Sequence, residues 1–257
     1  MKHTLRSIVV ACGILALAGS LLAQKAKSKK EIEAINAINA ATTVDDRLKA
    51  IDNVLTNFAD TEFKLVLLQM ALDLEVRKGD YAQTVTYAER LLEADPKNAD
   101  AMVTLASETA RHTREFDLDK DEKLGKVDKW AKDGIEAAKT APKPNSSMTD
   151  QQLETMRKDF QSQGYEALGM AAALRKKYDD AIADYKQANS VAANPDPGVW
   201  VRLGQVYEDT HKWDEANDAF DKAAAVPNAP AQIKHIVELK KAEVAKLKAA
   251  SPAAPPQ

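Results

Sequence analysis

An all-α solenoid of about five helix pairs, closed by a C-terminal capping helix, is the fold class that this 257-residue sequence predicts. Three observations carry it. Only 9 glycines and 10 prolines interrupt a chain dominated by Ala, Leu, Lys, Glu, Asp and Gln, the usage of a helical protein. The chain also repeats itself. Tyr165, Leu168, Gly169, Ala172, Ala181, Tyr185 and Ala188 fall on Trp200, Leu203, Gly204, Tyr207, Ala216, Phe220 and Ala223 at a constant offset of 35 residues. Finally, the repeated positions have helical spacing. Leu203, Gly204 and Tyr207 line one helix face, and Ala216, Phe220 and Ala223 line another, because residues three and four apart are neighbours on a helix. Each pair then leaves an apolar face that only the next pair can bury.

Residues 1–23 read as an export signal. Lys2 and Arg6 precede an apolar run that ends in small residues, followed by the polar, basic KAKSKK. Cleavage is expected after Ala23, with a cut after Ala18 as the alternative; an uncleaved anchor and lipidation at Cys12 are the rival readings. The run is shorter than the ~20 residues of a membrane span, so no span is expected once the signal is removed. Cys12 is the only cysteine and leaves with the signal, so the exported chain is held by its core alone. Loss of Lys2 and Arg6 leaves 34 basic against 39 acidic side chains, a net charge of about −5. Lys and Arg are spread along the whole chain, so no nucleic-acid footprint is present.

The pairs follow in order. Residues 24–60 hold a divergent first pair, with helices over 28–41 and 44–58 and a capping box at Thr43 and Asp46. Residues 61–98 hold the second, and 99–140 the third, whose second helix is expected over 123–139 after an insertion (TREFDLDKDE). The polar segment 141–148 is a linker. The fourth pair spans 149–195; its first helix opens at a capping box of Thr149 and Gln152 and runs to about residue 176. The fifth spans 196–230. The helix over 231–248 carries an apolar stripe of Ile233, Ile236, Leu239 and Leu247 beneath lysines, which suits a solvating cap. Residues 249–257 are a disordered tail.

The 197–230 stretch, with its Trp200, Leu203-Gly204, Tyr207, Ala216, Phe220, Ala223 and Pro227, resembles the tetratricopeptide repeat family, as does 162–195. The Gly79-Asp80-Tyr81 joint and the Asp95-Pro96 ending of KGDYAQTVTYAERLLEADPKN resemble it too, with Leu68, Ala71 and Leu72 in place of the large residue and the Leu-Gly pair. The resemblance implies a non-catalytic scaffold that binds a protein or peptide segment in a concave groove. It places Gln69, Asp73, Glu166, Met170, Val201, Arg202, Gln205 and Glu208 on that groove. Some members clamp a partner's terminal carboxylate with Lys and Asn. Here those positions hold Glu166 and Met170, and Gly198 stands where the later repeat would carry Lys, so that clamp is not expected.

No chemistry is expected elsewhere. Asp117, Asp119 and Asp121 alternate as in a calcium loop, but Glu122 stands where such a loop needs Gly, and Asp128 where it needs Glu. His112, His211 and His235 lack ligand spacing. Catalytic residues, cofactors and metals are therefore read as none. The expected location is periplasmic or secreted. The alternative is a structural part of an envelope assembly, anchored by lipid at Cys12.

Overall fold

The computed structural model describes residues 26–250. The expected signal, with Cys12 and both cleavage positions, lies outside the described residues, as does the tail from 251 onwards. Eleven helices and no strand occupy the described residues. They are α1 (Lys29–Ala40), α2 (Val44–Asn57), α3 (Lys64–Lys78), α4 (Tyr81–Ala94), α5 (Ala99–Arg111), α6 (Lys120–Lys139), α7 (Asp150–Leu174), α8 (Tyr178–Val191), α9 (Pro197–Asp209), α10 (Trp213–Ala225) and α11 (Ala231–Ala250). Each helix packs against the next in the chain, and first helices also meet across pairs, α5 against α7 and α9 against α11. This is the serial packing of an all-α solenoid.

Helix starts are written locally. The side chains of Ser28, Thr43, Asp80, Asn98 and Asp196 each accept a backbone N–H of the first turn they precede. Thr149 and Gln152 form a reciprocal capping box. At Thr43 only half of the box exists: Asp46 turns its carboxylate to the Thr43 hydroxyl, 2.7 Å away.

The joint inside three of the pairs shares one geometry. Gly79, Lys176 and His211 are left-handed, with φ of 75°, 58° and 58°, and each stands two residues before the aromatic that opens the second helix. The next residue's N–H reaches back five residues, Asp80 to the Glu75 carbonyl, Lys177 to Ala172 and Lys212 to Tyr207. That is the six-to-one bond of a Schellman ending, which turns the chain without orphaning the last carbonyls. It also ends α7 at Leu174, two residues short of the expected boundary.

Inside the pairs, small residues set the approach. A side chain at Gly204 would run into the Phe220 ring, and one at Gly169 into the Tyr185 ring. Both rings are buried. The apolar residues form two clusters, one from α1 to α5 and one from α5 to α11. They meet at α5, where Leu105 belongs to the first and Ala106 to the second, and Trp130 packs on both. The long α7 serves its flanks: Arg157 donates to the Ala141 carbonyl, and Asp159 accepts from the backbone of Ala193 and Asn194.

Three expectations need correction. α6 starts at Lys120 rather than at 123, because Asp121 and Glu122 suit the positive end of a helix and Lys123 N–H bonds the Asp119 carbonyl. α11 runs to Ala250, so residues 249 and 250 are helix rather than tail; alanine is the best helix former. The buried stripe of α11 is Ile233, Val237 and Val244, whereas Leu239 stays 59% exposed. α11 carries two adjacent apolar stripes, and the one with the β-branched valines meets α10.

Candidate functional site

The sequence-derived groove residues lie on α3, α7 and α9, which alternate with the second helices of each pair. Their side chains connect successive first helices. On α3, Gln69 Nε2 donates to Asp73 Oδ1 at 3.3 Å and crosses to Asp100 Oδ2 of α5 at 2.6 Å. Asp100 accepts from Thr104 Oγ1 on the next turn. Ser107 then receives Gln163 Nε2 of α7 at 2.9 Å. At the end of α5, Arg111 binds Glu108 at 3.1 Å and reaches Glu166 of α7 at 3.3 Å. Arg202 of α9 binds the same carboxylate, 3.0 Å from Oε1. Glu208 continues the row to Lys240 of α11 at 3.3 Å, and Lys240 also holds Glu243. Four first helices and the capping helix α11 thus share one polar row.

Electrostatics explain why the centre of the row is an ion cluster. The Glu166 side chain is 5% exposed, while Arg111 and Arg202 each keep 27%. A carboxylate this deep must be paired, and two guanidiniums pair it. Burial works against the charge on Arg111, but Glu166 and Glu108 outweigh it and hold the pKa above the ordinary arginine value. Asp196, which caps α9 beside this cluster, is pushed up by burial and by Glu166, with its bond to Gly198 N–H and the two arginines opposing. Burial raises Glu208 as well, against the pull of Lys240. Each guanidinium has five donors, so the cluster retains capacity for an additional acceptor.

No protein-family model matches the chain, and no curated protein matches it. Solved structures do. A thermophilic TPR protein of Thermus thermophilus superposes with a TM-score of 0.54 at 15% identity, over 82% of this chain and 98% of that one. The chain has the tetratricopeptide-repeat fold. The MamA protein (TM-score 0.38, 16% identity, 76% of this chain and 99% of that one) and a tetratricopeptide repeat protein of Parabacteroides merdae (0.29, 13%, 82% and 97%) are more distant.

In this TPR array the eight sequence-derived residues separate into three groups. Gln205 is exposed, and Gln69, Asp73 and Arg202 are half-buried members of the polar row. Met170 and Val201 belong to the core and offer little surface to a ligand. Glu166 and Glu208 are buried ion-pair partners rather than free groove side chains, because an acidic residue at this register meets a cation on the neighbouring first helix. Asp100, Ser107, Glu108, Arg111, Gln163 and Lys240 belong to the same row and were missed. Their partners lie up to 56 residues away in sequence, and no local pattern marks them. Among the described residues no group of three or more His, Cys, Asp or Glu side chains could hold a metal. Asp117 and Asp119 are instead bound by Lys123. His112 stacks on Tyr81 at 4.2 Å and His211 leans on Trp213 at 5.0 Å.

Proposed function

We propose that this protein is a non-catalytic scaffold that binds a protein or peptide segment along the row of first helices, and that it works outside the cytoplasm. The observation that supports binding is the continuity of the row. Side chains link one helix to the next from α3 to α11, so an extended segment laid along them is read by several repeats at once. Exposed Gln205 and the donors of Arg111 and Arg202 supply polar contacts at its centre. Hydrogen-bond acceptors of the partner, main-chain carbonyls or carboxylates, fit those donors.

Export rests on the basic, apolar and small residues of the first 23 positions in that order. The mass of the protein isolated from its native cell tests it. A chain beginning at Gln24 or Gly19 supports an exported soluble scaffold. An acylated Cys12 moves the assignment to an anchored part of an envelope assembly. Full-length protein in the cytosol contradicts export. Binding is tested by co-purification from the native envelope, identification of the partner, and titration of that partner against Gln205→Arg. Loss of affinity with an unchanged melt supports the assignment; an unchanged affinity for this variant and for Arg202→Ala contradicts it.

A further inference from the structure

The centre of the polar row holds more acid than base. Glu108, Glu166 and Asp196 bring three carboxyl groups to it, against the two guanidiniums of Arg111 and Arg202. Glu108 and Arg111 stand on α5, Glu166 on α7 and Arg202 on α9, and Asp196 caps α9. His112 reaches the rim, with Nδ1 3.8 Å from Glu108 Oε2. The phenol of Tyr185 on α8 lies beside Arg202 and Glu166, and burial pushes its pKa up, so it stays protonated. Other charges around α9 are engaged elsewhere. Asp159 of α7 accepts from the backbone of Ala193 and Asn194, Lys222 of α10 binds Asp218 and lies over the Trp200 ring, and Lys240 of α11 holds Glu208 at the opposite end of α9.

The third carboxyl group is the one without a cation. Asp196 Oδ1 accepts the Gly198 N–H at 2.7 Å, and among the described residues no guanidinium or ammonium pairs with it. Arg202 is within reach. Its Nη1, which lies 3.0 Å from Glu166 Oε1, is also 3.0 Å from the point where a Cβ on Gly198 would stand, and Asp196 Oδ1 is 3.1 Å from that point. The two groups are therefore within about 6 Å, and glycine leaves the space between them open. Burial and the charge of Glu166 favour the neutral acid at Asp196. When Asp196 does ionise, Arg202 has two carboxylates to choose from, and Glu166 still keeps Arg111. We propose that Arg202 changes partner with pH: it bridges α9 to α7 through Glu166 while Asp196 is protonated, and turns to Asp196 within its own helix once that carboxyl ionises. α8 packs on both α7 and α9, and this ion pair links the two first helices directly. Higher pH thus opens the row between α7 and α9, while Arg111 keeps α5 joined to α7. The consequence for a partner, weaker binding as pH rises, rests on the function proposed for the row; the exchange itself does not.

Nuclear magnetic resonance of the whole protein without any partner tests the exchange, so its failure leaves the binding assignment standing. The Asp196 carboxyl carbon, assigned against Asp196→Asn, and the Arg202 Nε–H, assigned against Arg202→Lys, are followed from about pH 3 to pH 7.5. Asp196 should titrate above the ordinary 3.8. The Arg202 signal should shift with the same midpoint. Asp196→Asn keeps a good helix cap but cannot ionise, so in that variant the Arg202 shift should be lost. This separates the exchange from titration of His112 or Glu108, which the variant retains. An Asp196 midpoint at or below 3.8 overturns the proposal, as does an Arg202 signal that is flat through the Asp196 midpoint, or one that keeps its shift in Asp196→Asn.

Discussion

Gly204→Ala isolates the packing on which the repeat depends. The added methyl would lie 2.7 Å from Cδ1 and 2.9 Å from Cζ of Phe220, and closer still to Cε1. Ordinary contact begins at ~3.4 Å, so the ring or the helix must yield by nearly 1 Å. Phe220 is fully buried and has nowhere to go. Overpacking of this kind costs ~1–3 kcal/mol, and this site belongs in the upper half of that range. Alanine returns ~1 kcal/mol of helix propensity. The net expectation is a loss of ~1–2 kcal/mol, which lowers the melting temperature by about 3–6 °C in a chain of this size. Gly125 supplies the control. It lies inside α6, where an added methyl would meet nothing within 4 Å, so Gly125→Ala should gain up to ~1 kcal/mol. Adding Phe220→Leu to Gly204→Ala should relieve part of the overlap, so the double variant should be more stable than the two single losses imply. Circular-dichroism melts of the parent and these variants, with Phe220→Leu alone among them, read all of this. A Gly204→Ala protein that melts at or above the parent temperature, as the Gly125 control should, would refute the close-packing argument.

The remaining predictions concern charge and backbone. Glu166→Ala leaves Arg202 without its carboxylate and Arg111 with Glu108 alone, and should cost ~2–4 kcal/mol, somewhat below the fully buried figure because water reaches both guanidiniums; a melt within about 1 °C of the parent, measured at about 0.1 M salt, would count against the cluster. Burial, with Asp180 and Asp128 adding to it and Lys132 opposing, pushes the Asp184 carboxyl up to about 6 from an ordinary 3.8. The folded state therefore holds this proton more tightly than the unfolded state. Its contribution is fully present below pH ~4 and is lost as pH rises through about 6. Asp184→Asn should accordingly gain stability over the parent between those values, and a gap that is flat from about pH 4 to 8 would contradict the assignment. His211 is left-handed without being glycine, so His211→Gly should gain up to ~1 kcal/mol on the melt; a loss instead would mean that its contact with Trp213 outweighs the strain.

Much of the fold was legible because its causes are local or periodic. The offset that places Tyr185 under Gly169 and Phe220 under Gly204 needs no partner outside the repeat, and Thr149 with Gln152 caps α7 from three residues away. What stayed hidden depends on what stands opposite. Periodicity puts Glu166 and Glu208 on the right face of a first helix. It cannot say that Arg111, Arg202 and Lys240 occupy the neighbouring helices and consume them. Glu31 shows the same limit: it is buried at the start of the array by the hydroxyl of Thr61, 30 residues away. On α11, two adjacent apolar stripes compete, and only the shape of α10 selects Val237 and Val244 over Leu239. Phe116 and Leu118 alternate with acids, a pattern that reads equally well as a turn with buried or with exposed apolar residues.

The central claim is that the first helices, not the second, hold a partner. Site-specific photocrosslinking in the native cell tests it most directly, with the reactive side chain placed at exposed Gln205 on α9 or, for comparison, at exposed Asp218 on α10. The expected result is a discrete adduct from position 205, traced by mass spectrometry to one segment of one protein and lost when that segment is deleted, with no such adduct from position 218. Adducts of equal yield from both positions, or from 218 alone, would contradict it.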